Sequence, residues 1–253
     1  MFYCVIPARY GASRLPGKPL LEIAGQPMVE HVRRAALASG ARAVVVATDH
    51  EQVRARIEAA GGIACMTRAE HASGTDRIAE VADLLGWAED DIVVNVQGDE
   101  PLLPPAVIDQ VAAELAAHPD CGVATLCEPI AGPGELADPN AVKVVVAAGR
   151  ALYFSRAPIP WARDLARRAA PPLDARCPPL RHIGLYAYRV AALRRFTRWP
   201  VAPLEAVEAL EQLRFLVNGV PIRVAVAAAP VPAGVDTPED LARVREGFGS
   251  RAP

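Results

Sequence analysis

The chain has 253 residues, 52% of them apolar and 22% charged, which excludes a disordered or fibrous protein and fits one large domain or two small ones. Its 27 basic and 29 acidic side chains leave a net charge of −2, so no global positive field draws in nucleic acid or anionic lipid. The opening Met1-Phe2-Tyr3-Cys4-Val5-Ile6-Pro7 has no basic region, and its apolar run falls far short of the about 20 residues that span a bilayer. Cys4, Cys65, Cys121, Cys127 and Cys177 are scattered and form no CxxC, against a disulfide framework or a structural zinc site. A cytoplasmic protein with no membrane or nucleic-acid partner is expected.

In chain order, Phe2 to Pro7 predicts a short buried strand, followed by a loop of Gly, Pro and basic residues from Ala8 to Pro19. Pro27 to Ser39 predicts a helix stopped by Gly40, Ala43 to Ala47 a second strand, and His50 to Ala60 a helix ending at Gly61-Gly62. Thr75 to Leu85 reads as a helix, Ile92 to Val96 as a strand and Pro104 to Ala117 as a helix. This alternation implies an α/β fold: a mostly parallel central sheet with helices on both faces. Later come strands at Val123 to Cys127, Ala141 to Val146 and Ala151 to Ser155, then an exposed connection from Asp164 to Pro179. Ile183 to Tyr188 is expected as a strand. Leu204 to Val217 is expected as one amphipathic helix, with Leu210, Leu213 and Val217 inward and Glu208 and Glu211 on a neighbouring face. Ile222 to Val226 and Pro238 to Gly247 close the chain as strand and helix. No internal repeat or long linker divides it, so residues 1–253 are read as a single domain.

Four segments carry candidate chemistry. The loop Pro7-Ala8-Arg9-Tyr10-Gly11-Ala12-Ser13-Arg14-Leu15-Pro16-Gly17-Lys18 leaves the first strand at its carboxyl end, where α/β sheets bind ligands. Arg9, Arg14 and Lys18 suit phosphate, and the glycines allow exposed amides. The loop is neither GxGxxG nor GxxxxGK[ST]. Asn95-Val96-Gln97-Gly98-Asp99-Glu100-Pro101 ends a buried strand in residues that make either a turn or a carboxylate site for Mg²⁺. In Gly234-Val235-Asp236-Thr237-Pro238-Glu239-Asp240, Thr237 and Asp240 are explained as a helix start, whereas Asp236 is not needed for it. His71-Ala72-Ser73-Gly74-Thr75-Asp76-Arg77 contains a capping box in Ser73 and Asp76. Its Arg77 stands in a first helical turn, where a cation opposes the helix dipole and calls for an anionic partner.

PARYGASRLPGKPL, ATDH, HASGTDR, NVQGDEP, NAVKVV, YFSRAPIP, RHIGLYAYR, LEQLR and GVDTPED occur in this order from residue 7 to residue 240. Together they resemble the 3-deoxy-manno-octulosonate (Kdo) cytidylyltransferase family, and the likeness covers nearly the whole chain. It implies a Rossmann-like nucleotidyltransferase fold of the GT-A type, with a nucleotide-binding part at about 1–120 and a sugar-binding and dimerisation part at about 121–253. It also implies a reaction: CTP and Kdo give CMP-Kdo and pyrophosphate, by in-line attack of the sugar C2 hydroxyl on the α-phosphorus.

By that resemblance Arg9, Ser13, Arg14 and Lys18 bind the CTP phosphates, and Asp99 and Asp236 hold Mg²⁺. Ser73, Arg77 and Gln97 touch cytidine, while Arg156, His182, Tyr186, Glu211 and Gln212 hold Kdo. A homodimer, with its contact at about 128–190, is the family expectation. The readings left open beside it are a cytidylyltransferase for a sialic-acid-type sugar, a sugar-nucleotide-dependent glycosyltransferase and a non-catalytic nucleotide sensor.

Overall fold

The computed structural model describes residues 1–11, 15–163 and 175–249. Long uninterrupted apolar runs make the parallel part of the sheet. β1 (Phe2–Pro7), β4 (Ala43–Thr48), β5 (Ile63–Met66) and β6 (Ile92–Asn95) lie side by side in the order β5-β4-β1-β6, all parallel. Between β1 and β4 come a two-stranded hairpin, β2 (Glu22–Ile23) with β3 (Gln26–Pro27), and α1 (Met28–Leu37). Helices α2 (Glu51–Ala59), α3 (Gly74–Leu84) and α4 (Pro105–Ala117) supply the crossovers. Val29, Val53 and Val107 of α1, α2 and α4 pack on one face of the sheet, while Ile78 and Val81 of α3 pack on the other. Helices therefore cover both faces, as the alternation implied.

The second half of the chain is more mixed than the expected parallel sheet. β7 (Val123–Pro129), α5 (Pro133–Ala137), β8 (Lys143–Ala147), β9 (Arg150–Ser155) and β10 (Leu180–Arg189) precede α6 (Val190–Phe196), α7 (Pro203–Glu208), α8 (Leu213–Val217), β11 (Ile222–Val226) and α9 (Pro238–Gly249). The nine-stranded sheet runs β5-β4-β1-β6-β10-β7-β11-β9-β8. β10 is antiparallel to both β6 and β7, and β9 is antiparallel to β8 and β11. A register shift between Ile183 and Tyr186 bends β10, and its first residues also pair with β8. Strands β10, β7, β11, β9 and β8 thus curl toward a ring.

The single helix expected over Leu204 to Val217 is two short ones. Ala209 stands in the left-handed region at φ 50° between α7 and α8. Leu210 and Leu213 are buried as expected, but Val217 is 51% exposed. The expected connection from Asp164 to Pro179 lies largely outside the described residues.

Candidate functional site

β1, β4 and β6 end at one edge of the sheet. Ala8 donates its N–H to Ala47 O at 2.8 Å, the Thr48 hydroxyl donates to Ala8 O at 2.8 Å, and Val96 donates to Val5 O at 3.0 Å. The segments after these strands therefore converge at their carboxyl ends. Gly98 is required by this closeness, since a Cβ there would lie 2.6 Å from Pro7 O.

Pro7, Ala8, Arg9, Lys18, Gln97, Gly98 and Asp99 line a pocket of about 180 Å³. The Lys18 Nζ donates to Asp99 Oδ2 at 2.7 Å and to Asp236 Oδ1 at 3.0 Å. Asp236 reaches this point because Val235 donates its N–H to Asp99 O at 2.9 Å and is itself buried beside Ile23 and Met28. The helix start that the sequence assigned to Thr237 and Asp240 is present, with Asp240 N donating to Thr237 Oγ1 at 3.2 Å and Thr237 N to Asp240 Oδ2 at 3.0 Å. Burial draws the Lys18 ammonium down, but Asp99 and Asp236 outweigh it and hold its pKa above the ordinary lysine value. Beside them, burial and then the Asp99 charge push the Glu100 carboxyl up to about 8, against an opposing effect of Arg181. Two carboxylates from distant segments thus face one cation at the floor of the pocket. Among the described residues, no three His, Cys, Asp or Glu side chains group closely enough to cage a metal. A pair of carboxylates fits an ion that takes its remaining ligands from water and phosphate, as Mg²⁺ does.

A second group lies on the α3 side of the sheet. Asn95 and Tyr186 are register partners across β6 and β10, so their side chains share a face. The Asn95 Oδ1 and Tyr186 Oη are buried without a hydrogen-bond partner among the described residues. Thr75 donates its hydroxyl to Glu211 Oε1 at 2.6 Å. Burial raises the Glu211 pKa above the ordinary carboxylate value, outweighing its bonds from Thr75 and Ser73. His182 accepts or donates at 3.2 Å to Thr125 Oγ1 and meets the Phe154 ring edge-on. Burial, reinforced by Arg181, lowers its pKa to about 3. Gln212 is buried at the start of α8, and Gln97 Nε2 reaches Gly184 O at 3.4 Å.

Some expected contact residues have protein partners instead. Ser73 caps α3 in a reciprocal box with Asp76. Arg77 is 2% exposed, with its guanidinium on Asp49 Oδ2 at 3.0 Å and on Thr67 Oγ1. Arg156 donates to the carbonyls of Glu208 at 2.7 Å, Pro139 at 2.9 Å and Ala209 at 3.3 Å. The expected phosphate ligands Ser13 and Arg14 lie outside the described residues. Sequence reasoning missed Thr75, Asn95 and Glu208, whose carboxylate accepts from Ser155 Oγ at 2.6 Å and Arg156 N at 2.9 Å. The helical spacing puts Glu208 only on a face beside the buried stripe, and no local pattern marks the partners that β9 brings to it. A larger cavity of about 430 Å³, on the outer flank of α3 between Arg68 and Thr197, contains none of the expected site residues.

A mixed α/β protein whose parallel sheet edge carries a lysine between two carboxylates has its site where open α/β sheets bind ligands. Residues 3–222 match the family model described as cytidylyltransferase. The 3-deoxy-manno-octulosonate cytidylyltransferase of Hahella chejuensis is 58% identical over 249 residues, covering 96% of each chain. That of Cellvibrio japonicus is 58% identical over 246 residues, again with 96% of each chain covered. A solved structure of CMP:2-keto-3-deoxy-manno-octonic acid synthetase complexed with CTP superposes with a TM-score of 0.88 at 45% identity, over 99% of both chains. The chain belongs to the cytidylyltransferase family, among the 3-deoxy-manno-octulosonate cytidylyltransferases.

Proposed function

We propose that this protein transfers CMP from CTP to 3-deoxy-manno-octulosonate, releasing pyrophosphate and forming CMP-Kdo for lipopolysaccharide synthesis. The observation that carries the reading is the convergence of Asp99 and Asp236 on Lys18 at the edge where Arg9 and Gln97 line the same pocket. Family membership gives the reaction, and the geometry gives its residues work to do. Arg9 and Lys18, with Ser13 and Arg14 by the family motif, bind the triphosphate and offset charge on the departing pyrophosphate. Asp99 and Asp236 are the residues that would hold Mg²⁺, which when bound polarises the α-phosphate. Gln97 lines the nucleotide pocket and reaches Gly184 of β10, while Ser73 and Arg77, assigned to cytidine by the family motif, hold partners within the protein. Tyr186, His182, Glu211 and Gln212 offer neutral or shielded hydrogen-bonding groups to the sugar hydroxyls, and Arg156, held on the carbonyls of Glu208, Pro139 and Ala209, is the family's cation for its carboxylate. The sugar C2 hydroxyl, held there, attacks the α-phosphorus in line; positioning accounts for most of the gain.

Among the described residues no helix is long and apolar enough to cross a membrane. We place the protein in the cytoplasm, where CTP is made. Leu152 and Trp161, 61% and 62% exposed, lie within the expected contact segment and would be covered in a homodimer, which sedimentation velocity tests.

The reaction is tested by pyrophosphate release from CTP and Mg²⁺ with and without Kdo, with EDTA and sialic acid as controls. Release that requires Kdo and metal is expected. Release with sialic acid alone would move the sugar assignment, and CTP binding without release from any sugar would overturn the enzymatic reading.

A further inference from the structure

The ATDH motif has no role in the chemistry above, yet its last two residues touch the nucleotide loop. Asp49 accepts the Tyr10 N–H at 3.2 Å with Oδ1 and the Arg77 guanidinium at 3.0 Å with Oδ2. The Tyr10 ring stacks on His50 with centroids 3.7 Å apart and planes within 8°. Tyr10 O in turn accepts from Gly17 N at 3.3 Å, and Gly17 has a left-handed backbone at φ 67° whose Cβ position would meet the Tyr10 hydroxyl at 3.4 Å. Tyr10 is thus gripped at its amide, its ring and its carbonyl. Its chain neighbour is Arg9, and the residue after Gly17 is Lys18. Among the described residues the buried His50 Nδ1 has no hydrogen-bond partner, and the ring meets Tyr10 through its face.

We propose that Asp49 and His50, braced by Arg77, form a clamp that pins both ends of the nucleotide loop through Tyr10 and pre-orders Arg9 and Lys18 for the triphosphate. They are positioning residues: none needs to touch CTP, and their effect falls on the nucleotide rather than the sugar. The same ion pair gives the anionic partner that a cation in the first turn of α3 calls for. Loop ends held at Tyr10 and Gly17 before binding lose less freedom when CTP arrives, so the clamp acts on nucleotide affinity.

This inference rests on the proposed reaction, and its test separates the two. Wild-type protein that releases no pyrophosphate with CTP, Mg²⁺ and Kdo refutes the reaction; the clamp is then decided by CTP titration calorimetry and amide exchange, which need no turnover. Removing the stack in His50→Ala is expected to weaken CTP binding roughly tenfold, leave the KM for Kdo within about twofold, and speed exchange of the loop amides but not of β6. His50→Phe, which keeps a flat ring and cannot hydrogen-bond, should restore both. The clamp is overturned if His50→Ala leaves CTP affinity and loop exchange unchanged, if the Kdo KM rises equally, or if His50→Phe behaves as His50→Ala. Tyr10→Phe should match wild type and Tyr10→Ala should match His50→Ala; a loss in Tyr10→Phe equal to that in Tyr10→Ala would assign the role to the phenol hydroxyl and refute the stack.

Discussion

The two ends of the proposed site, the one for nucleotide and the one for sugar, handle charge in opposite ways. At the nucleotide end charge is kept: Lys18 is held protonated between Asp99 and Asp236, and Arg9 stands exposed at the pocket edge. At the proposed sugar end three groups are pushed toward their neutral forms: burial keeps His182 neutral, raises Glu211 and lifts the Tyr186 hydroxyl well above the ordinary tyrosine value. A triphosphate must be met by cations, whereas hydroxyl groups are read best by neutral donors and acceptors whose protonation does not drift. The same sheet supplies both, because parallel strand ends present loops and the bent antiparallel β10 presents buried side chains.

The comparison breaks first at the charged end. Asp99→Asn keeps the shape but halves the carboxylate pair, and kcat should fall by about 10³-fold, since electrostatic groups that act on the transition state carry effects of that size. Thermal unfolding should remain near that of the wild type. Turnover like the wild type would remove Asp99 from the metal role. At the sugar end Glu211→Ala should act selectively, lowering kcat/KM for Kdo by roughly tenfold to a hundredfold while CTP binding is retained. If calorimetry instead found CTP affinity reduced, the division of the pocket would be wrong.

The two ends also differed in how much could be read in advance. Phe2 to Pro7, Ala43 to Ala47 and Ile92 to Val96 are continuous apolar runs, and the loops that matter leave directly from their ends. Position alone therefore brought Lys18 and Asp99 together. Asp236 was singled out because its helix start needed only Thr237 and Asp240. The sugar end depends on contacts of high sequence separation, such as Thr75 with Glu211 and Ser155 with Glu208. Such pairs leave no local period. Edge strand β5 is half exposed and short, and the β2–β3 hairpin turns on Ala24 and Gly25, both at positive φ, with too few residues to show alternation. Arg77 and Arg156 were legible as important cations, but their partners, Asp49 and the carbonyls around Ala209, were not.

A pH titration sharpens the contrast. Folded His182 stays neutral down to about 3, whereas in the unfolded chain it takes up a proton near its ordinary value of 6.5. Between those values the unfolded state binds the extra proton, so stability falls as pH drops below 6.5. The contribution is about 2 kcal/mol at pH 5, from ~1.4 kcal/mol per unit. Urea midpoints at pH 7.5 and pH 5 should therefore converge more in His182→Gln than in the wild type. Equal losses in both proteins would show that the imidazole is not held neutral.

The smallest effect has a sign that discriminates between two structures. Apolar spacing from Leu204 to Val217 is compatible with one helix, and in a continuous helix Ala209→Gly costs about 1 kcal/mol, because glycine is the poorer helix former. In the broken arrangement Ala209 sits at φ 50°, where a side chain costs about 1 kcal/mol and glycine costs nothing. Ala209→Gly should then stabilise the protein by up to ~1 kcal/mol, offset in part by the freer unfolded chain. The break also has a function. It turns the chain so that Glu208 faces Ser155 and Arg156 while Glu211, three residues on, faces Thr75. An unbroken helix would place both glutamates on neighbouring positions of one surface. A rise in the urea midpoint on Ala209→Gly with unchanged KM for Kdo would support the turn, and a fall would restore the continuous helix.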